Sequence, residues 1–363
     1  MLVSDDGFVD HAAAGERLRA WVREDFGVEL TSIDRVGHGA DTAAEAWRGV
    51  SAAGASYAVK WSGGGTPAGL VVSAHLAEHG ATGVVGPMPS RVGRLWSERG
   101  GRRLSVVPWV SDDRALNGGM TAQHWVSYGA LLAQVHATAA TEALTKLLPR
   151  EQHTHEQVAS AVRAFHNQLR SRVDESAGVE APNDHLARAL ANEWRAAAGV
   201  LSTLLEHADD LGRELQTRQA TNVVCHGDPH LGNMLLRDGG QVWLIDWDDA
   251  VLAPRERDLM FVIVGVLAFA PVSPQEQSWF FDGYGPTAVD PTRLTYYQCT
   301  RALEDLAGPA AEVLDVHRYT ESDRADALSI FRGVLSPTGL ASLALSSLRD
   351  LGRICDEASR SAQ

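Results

Sequence analysis

Residues 222–249 read NVVCHGDPHLGNMLLRDGGQVWLIDWDD. Short apolar runs here alternate with polar side chains at fixed offsets. Residues 222–225 read as a strand, and 234–236 and 241–245 as two more, flanking Asp238-Gly239-Gly240, a strong hairpin signal. A two-residue turn at Asp238-Gly239 sets Asn233 opposite Leu244; one at Gly239-Gly240 sets it opposite Asp246. Either register brings the Asn233 amide and the Asp246 carboxylate to the same end of one ribbon. The loop carrying Asp228 arrives at that end too.

An aspartate, an asparagine five positions on and a second aspartate across a hairpin share one chemical use. Magnesium takes hard oxygen ligands, one or two from side chains and the rest from phosphates and water. Asn233 and Asp246 offer such oxygens, and Asp228 stands ready to accept or orient the proton of an attacking hydroxyl. Phosphoryl transfer needs little beyond positioning and charge neutralisation, so these groups plus one cation suffice. Composition supplies the cation. Of 32 Lys and Arg residues only Lys60 and Lys146 are lysine, so a lysine in this chain calls for a reason. Lys60 lies in Tyr57-Ala58-Val59-Lys60, where alternation predicts a half-buried strand. It follows a glycine-containing loop, residues 37–42, that includes Gly39, Asp41 and Thr42. Lys60 is expected to neutralise nucleotide phosphates that this loop covers.

These motifs resemble the aminoglycoside phosphotransferases, which share the protein-kinase fold. HGDPHLGN and LIDWD are the most specific points of likeness. GHGADTAAEAW is similar to the family's nucleotide loop, YAVKW to the phosphate-lysine strand, VVPWV to the interlobe hinge and GALLAQVHATA to the first large-lobe helix. DWDDAVLAPRERDLMFV, FFDGYG and YYQCTRALEDLAG look most like the spectinomycin phosphotransferase branch. The resemblance implies an α+β, two-lobe fold, with a small β-rich lobe over residues 1–107, a hinge at 108–112 and a larger helical lobe over 113–363. It implies that Asp228 is the catalytic aspartate, that Asn233 and Asp246 bind Mg2+, and that His226 braces the catalytic loop. Asp258 would anchor that loop from a buried helix, and backbone groups near Val107 and Trp109 would meet the nucleobase. ATP or GTP is the implied donor and an aminocyclitol or aminoglycoside antibiotic the implied acceptor; the alternatives are a kinase of another small hydroxyl compound, such as a nucleoside antibiotic, a sugar or an amino alcohol, and a catalytically inactive kinase-like binding protein. One departure stands out. Kinase-like folds pair the phosphate lysine with a glutamate on the following helix, yet residues 66–77 contain no acid and Glu78 comes only at the helix end.

The rest of the chain fits this outline. At 363 residues with 45% hydrophobic and 21% charged positions, it is an ordinary folded chain long enough for two lobes. A formal net charge of −14 argues against binding nucleic-acid backbones and suits a cationic substrate. Asp248, Asp249, Glu304 and Asp305 are the acids chosen to attract its ammonium groups. Cys225, Cys299 and Cys355 form no CxxC pair, no leader is visible, and the longest apolar run, 259–271, is too short for a bilayer; a cytoplasmic protein without a membrane partner is expected. That run reads as a buried helix. Helices are also predicted over 12–26 and 70–79, and over 121–219 with Thr121 as N-cap and a break at 176–183; 91–96 and 103–109 read as a hairpin. Zinc held by His226, Asp228 and His230, or by His153 and His155, is the metal-centre alternative, and no carboxylate–histidine set completes its shell. The missing HRD, DFG and APE stretches argue against a protein kinase.

Overall fold

The computed structural model describes residues 11–36, 44–64, 66–156, 159–166 and 184–355. The chain divides into two compact units, Met1–Pro149 with His226–Leu252 and Asp282–Gly285, and Arg150–Cys225 with Ala253–Phe281 and Pro286–Gln363.

The first unit is built on a five-stranded antiparallel sheet. Its strands are β1 (Leu30–Arg35), β2 (Ala44–Ser51), β3 (Ser56–Ser62), β4 (Ser97–Arg99) and β5 (Arg102–Pro108), in the order β1-β2-β3-β5-β4. Helix α1 (His11–Phe26) lies on one face. Its Ala14, Leu18, Val22 and Phe26 recur every fourth residue and are buried against Trp47, Val59, Leu104 and Val106; this is the stripe an amphipathic helix needs. Because side chains alternate along a strand, the face that takes Val59 cannot also take Lys60, which is directed away from α1.

At the margin of this core, Trp21 and Trp61 meet at 5.5 Å between ring centroids. The Arg102 guanidinium sits 4.0 Å from the Trp61 ring centre, and Trp61 Nε1 donates to Arg99 O at 2.9 Å. Trp61→Ala removes a tilted ring–ring contact, a cation–π contact and a hydrogen bond together. It is expected to cost about 2–3 kcal/mol, measured by urea unfolding followed by circular dichroism. A midpoint equal to that of the parent protein would contradict this packing account.

The expected hairpin beginning at residue 91 is shorter than its pattern suggested. Strand β4 starts at Ser97, and the turn is Gly100-Gly101, both at positive φ (60° and 75°), as a tight primed turn requires. The start of the 91–96 segment is engaged elsewhere: Arg91 N donates to Asp25 O at 2.7 Å, and Arg94 O accepts from Ser90 N at 2.7 Å in a local turn.

Helix α2 (Ala68–Glu78) follows β3. After the one-turn α3 (Ala115–Gly118) comes α4 (Ala122–Ala137), capped as predicted by Thr121, whose hydroxyl accepts from His124 N while His124 Nδ1 accepts from Thr121 N. The buried hydroxyl of Tyr128 on α4 donates to Pro229 O at 2.7 Å, tying this helix to the loop that carries Asp228.

The second unit is mostly helical among its described residues, with the short strand Val223–Cys225 where the sequence predicted one, and is organised around Pro291–Leu314. That helix begins with Asp290 accepting from Thr292 N and Arg293 N, and Pro291 occupies its first turn, where a missing N–H costs nothing. The apolar run at 259–271 is helical only within Glu256–Ile263; Gly265 takes a left-handed φ of 75° just beyond it. The stretch Glu321–Asp350 is long and apolar enough to cross a membrane. It is nevertheless two helices, Glu321–Leu335 and Leu340–Asp350, separated around Pro337. Both bury apolar faces in the unit's core, through Leu328 and Phe331 on one and Ala344 and Leu348 on the other.

Candidate active site

The segment 226–233 is held by its own polar groups. His226 is fully buried; its Nδ1 accepts from Asp228 N at 3.2 Å and its Nε2 donates to Ile245 O at 3.0 Å. Both ring nitrogens therefore serve backbone, fixing one neutral tautomer and bracing the loop against the 245–246 strand end. That use leaves neither nitrogen for zinc. Gly227 adopts φ +89°, and a Cβ there would lie 2.1 Å from Asp249 O, so the chain turns between residues 226 and 228 where no side chain fits. Asn233 Nδ2 donates to Asp228 O at 2.8 Å and approaches Asp228 Oδ2 at 3.4 Å. His230 Nδ1 accepts from Gly232 N at 2.9 Å, while its Nε2 lies 3.3 Å from Asp228 Oδ2. The Asp228 carboxylate is thus steered from two sides.

The hairpin closes with neither of the two-residue turns considered from the sequence. Arg237 pairs with Gln241 and Met234 with Leu244, leaving the three-residue loop Asp238-Gly239-Gly240, with Gly239 and Gly240 at φ 81° and 80°. This intermediate register sets Asn233 opposite Ile245, and Ile245 N donates to Asn233 O at 3.0 Å. The expected convergence at one end of the ribbon survives the change. Asp246 follows immediately, in the left-handed region at φ 61°. That conformation is uncommon outside glycine, and Asp and Asn are the residues that best tolerate it.

Lys60 Nζ reaches Asp246 Oδ1 at 2.9 Å and Asp248 Oδ2 at 2.8 Å. Burial alone would lower the ammonium pKa, but the two carboxylates outweigh it and hold the pKa above its ordinary value. The lysine is therefore a fixed cation. Both of these partners of Lys60 come from the segment after the hairpin and neither from α2. Asp248, which the sequence suggested for attracting substrate, is bonded to Lys60; this contact was missed, although the absence of any acid from residues 66–77 was its signal.

The remaining candidates are scattered. Gly39, Asp41 and Thr42 lie outside the described residues. Val107 pairs with Ala58 in the sheet, and Trp109 N donates to Ser56 O at 2.9 Å, so that N–H is already engaged. Asp249 is exposed, with its carbonyl over Gly227. In the second unit, Asp305 pairs with Arg301 at 2.7 Å, which satisfies the carboxylate expected to face substrate. Burial of Arg257 is outweighed by the charges of Glu304 and Glu151, which keep its guanidinium protonated. Asp258 is fully buried on Glu256–Ile263. Burial pushes the Cys225 thiol well up, the opposite of what a nucleophile needs. His153 packs on Tyr296 at 5.4 Å between ring centroids.

The donor set fits magnesium. With Asn233 Nδ2 committed to Asp228 O, its Oδ1 is the amide atom left for a cation. Beside the Asp246 carboxylate it makes the hard-oxygen pair that this ion accepts.

Residues 70–303 match the phosphotransferase enzyme family. StrN from Streptomyces griseus is 29% identical over 219 residues, 60% of this chain and 65% of that protein, so the match spans just under two thirds of the relative's length. Spectinomycin phosphotransferase in complex with ADP and spectinomycin superposes with a TM-score of 0.79 at 25% identity, over 92% of this chain and 98% of that one. Amicoumacin kinase in complex with AMP-PNP and Ca2+ superposes with a TM-score of 0.58 at 14% identity, over 92% and 95%. The fold is kinase-like, with an antiparallel sheet in the N-terminal region and a helical C-terminal part. With the family match covering well over half of its length, this chain belongs to the phosphotransferase enzyme family.

Proposed function

We propose that the protein transfers the γ-phosphoryl group of ATP or GTP to a hydroxyl of an aminocyclitol or aminoglycoside-type antibiotic of the spectinomycin kind. The observation that carries this reading is the cluster of Lys60, Asp228, Asn233 and Asp246 within one unit, tied together by the contacts described above. Asp228 takes the proton as the acceptor hydroxyl attacks the γ-phosphorus, and the bond to the bridging oxygen breaks to release the nucleoside diphosphate. Lys60 lies against the phosphates, and Asn233 and Asp246 hold magnesium, which when bound neutralises phosphate charge. Residues 37–42 cover the nucleotide, and backbone of 107–109 borders its base. Residues 1–107 act as the nucleotide lobe, 108–112 as the hinge and 113–363 as the catalytic and acceptor lobe. Asp249 and Glu304 remain the acids assigned to the acceptor's ammonium groups. Support for the acceptor class comes from the likeness to the spectinomycin phosphotransferase complex.

Purified protein with magnesium and either nucleotide, incubated with a panel of antibiotics, sugars and amino alcohols, tests the assignment. Mass spectrometry should show one added phosphoryl group on spectinomycin or a related aminocyclitol. Phosphorylation confined to the sugars or amino alcohols would overturn the antibiotic assignment while leaving the phosphotransferase chemistry intact.

A further inference from the structure

Lys60 has two carboxylates and α2 offers it none, which raises the question of which acid keeps the lysine in place when Asp246 is engaged by a cation. The packing of α2 supplies an answer. Gly69, in its first turn, lies so close to the 247–248 backbone that a Cβ would sit 2.2 Å from Trp247 O and 3.1 Å from Asp248 N. The start of α2 therefore rests directly on the segment carrying Asp248. Trp247 itself is buried, its Nε1 donating to Leu244 O at 3.1 Å and its ring 4.5 Å from that of His226. Asp248 is thus presented from a backbone fixed on two sides, with its Oδ2 2.8 Å from Lys60 Nζ. Asp246 precedes it at the hairpin end with its side chain more exposed, 44% against 35%, as suits a carboxylate that must also face a cation.

We propose that Asp248 is the positioning acid of Lys60, taking over from the 246–248 segment the task that a helix glutamate performs in other kinase-like folds, and so freeing Asp246 for the metal. This rests on the reading of Lys60 as the phosphate cation. The close approach at Gly69 is the structural counterpart: the start of α2 rests on the backbone that presents Asp248 to Lys60.

The test is a double-mutant cycle of Asp248→Asn and Lys60→Met, with Asp248→Glu as the conservative variant. Two readouts are used: binding of a fluorescent ADP analogue, which needs no turnover, and kcat and KM for nucleotide and acceptor. Asp248→Asn should lower kcat/KM for the nucleotide by about tenfold or more while moving the acceptor KM less than about twofold. In the Lys60→Met background the same change should have under about a twofold effect on either readout. Asp248→Glu should recover part of the loss. Equal losses in both backgrounds, or a loss confined to acceptor KM, would overturn the proposal while leaving Lys60 its role. If Lys60→Met alone leaves both ADP affinity and turnover unchanged, the reading of Lys60 fails and the proposal with it. Thermal unfolding of each variant separates these outcomes from misfolding.

Discussion

Asp228→Ala is expected to lower phosphoryl transfer by about 10³-fold, within the range that a positioned general base contributes, while ADP affinity stays within about twofold because the carboxylate serves the acceptor and not the nucleotide. The structure explains why the effect should be so selective. The backbone of residue 228 is fixed independently of its side chain: its N–H is held by His226 Nδ1 and its carbonyl by Asn233 Nδ2. Truncation therefore removes the carboxylate and leaves the loop in place. Steady-state kinetics alongside fluorescent-nucleotide binding check both halves. An Asp228→Ala protein that retains more than about a tenth of the parent kcat would remove the residue from the chemistry.

Gly227→Ala should be nearly as severe by a different route. The added Cβ suffers twice, first from the left-handed φ of +89° and then from the Asp249 carbonyl 2.1 Å away. That obstacle is backbone and cannot rotate aside. The conformational part costs about 1–2 kcal/mol, and the clash must be relieved by shifting the 226–228 turn or the 246–249 segment, for a total on the order of 3 kcal/mol. Because those segments carry Asp228 and Asp246, turnover should fall at least about a hundredfold even at temperatures where the protein stays folded. Calorimetric unfolding and kcat measured on one preparation check this. Parent-like stability and activity would mean that the close approach is not a constraint.

What could be read from the sequence follows from how local each feature is. Thr121 as a cap, the glycine-rich hairpin and the alternation placing Lys60 on one strand face all depend on a few neighbouring residues, and all were legible. The hairpin register was misjudged by one because two glycines with left-handed φ, Gly239 and Gly240, fit a three-residue loop as well as a two-residue one. Residues 91–96 have a strand's composition, but Gly93 and Arg94 bond to Ser90 in a local turn and Arg91 N goes to the end of α1, a partner about 65 positions earlier that no window contains. The carboxylates beside Lys60 lie 186 and 188 positions further along the chain; the sequence showed that an acid was missing from residues 66–77 without showing which ones stand at the lysine. Likewise, the motif contained His230, but only coordinates place its Nε2 beside Asp228 Oδ2.

The left-handed backbone at residue 246 bears on how this protein can change over generations. Few side chains tolerate such a φ, and asparagine is among them. It differs from aspartate by a single nucleotide and keeps the shape while deleting the charge. On the proposed reading of Asp246 as a magnesium ligand, that replacement would abolish the chemistry while sparing the fold, so Asn at 246 is a one-step route to an intact but inactive descendant.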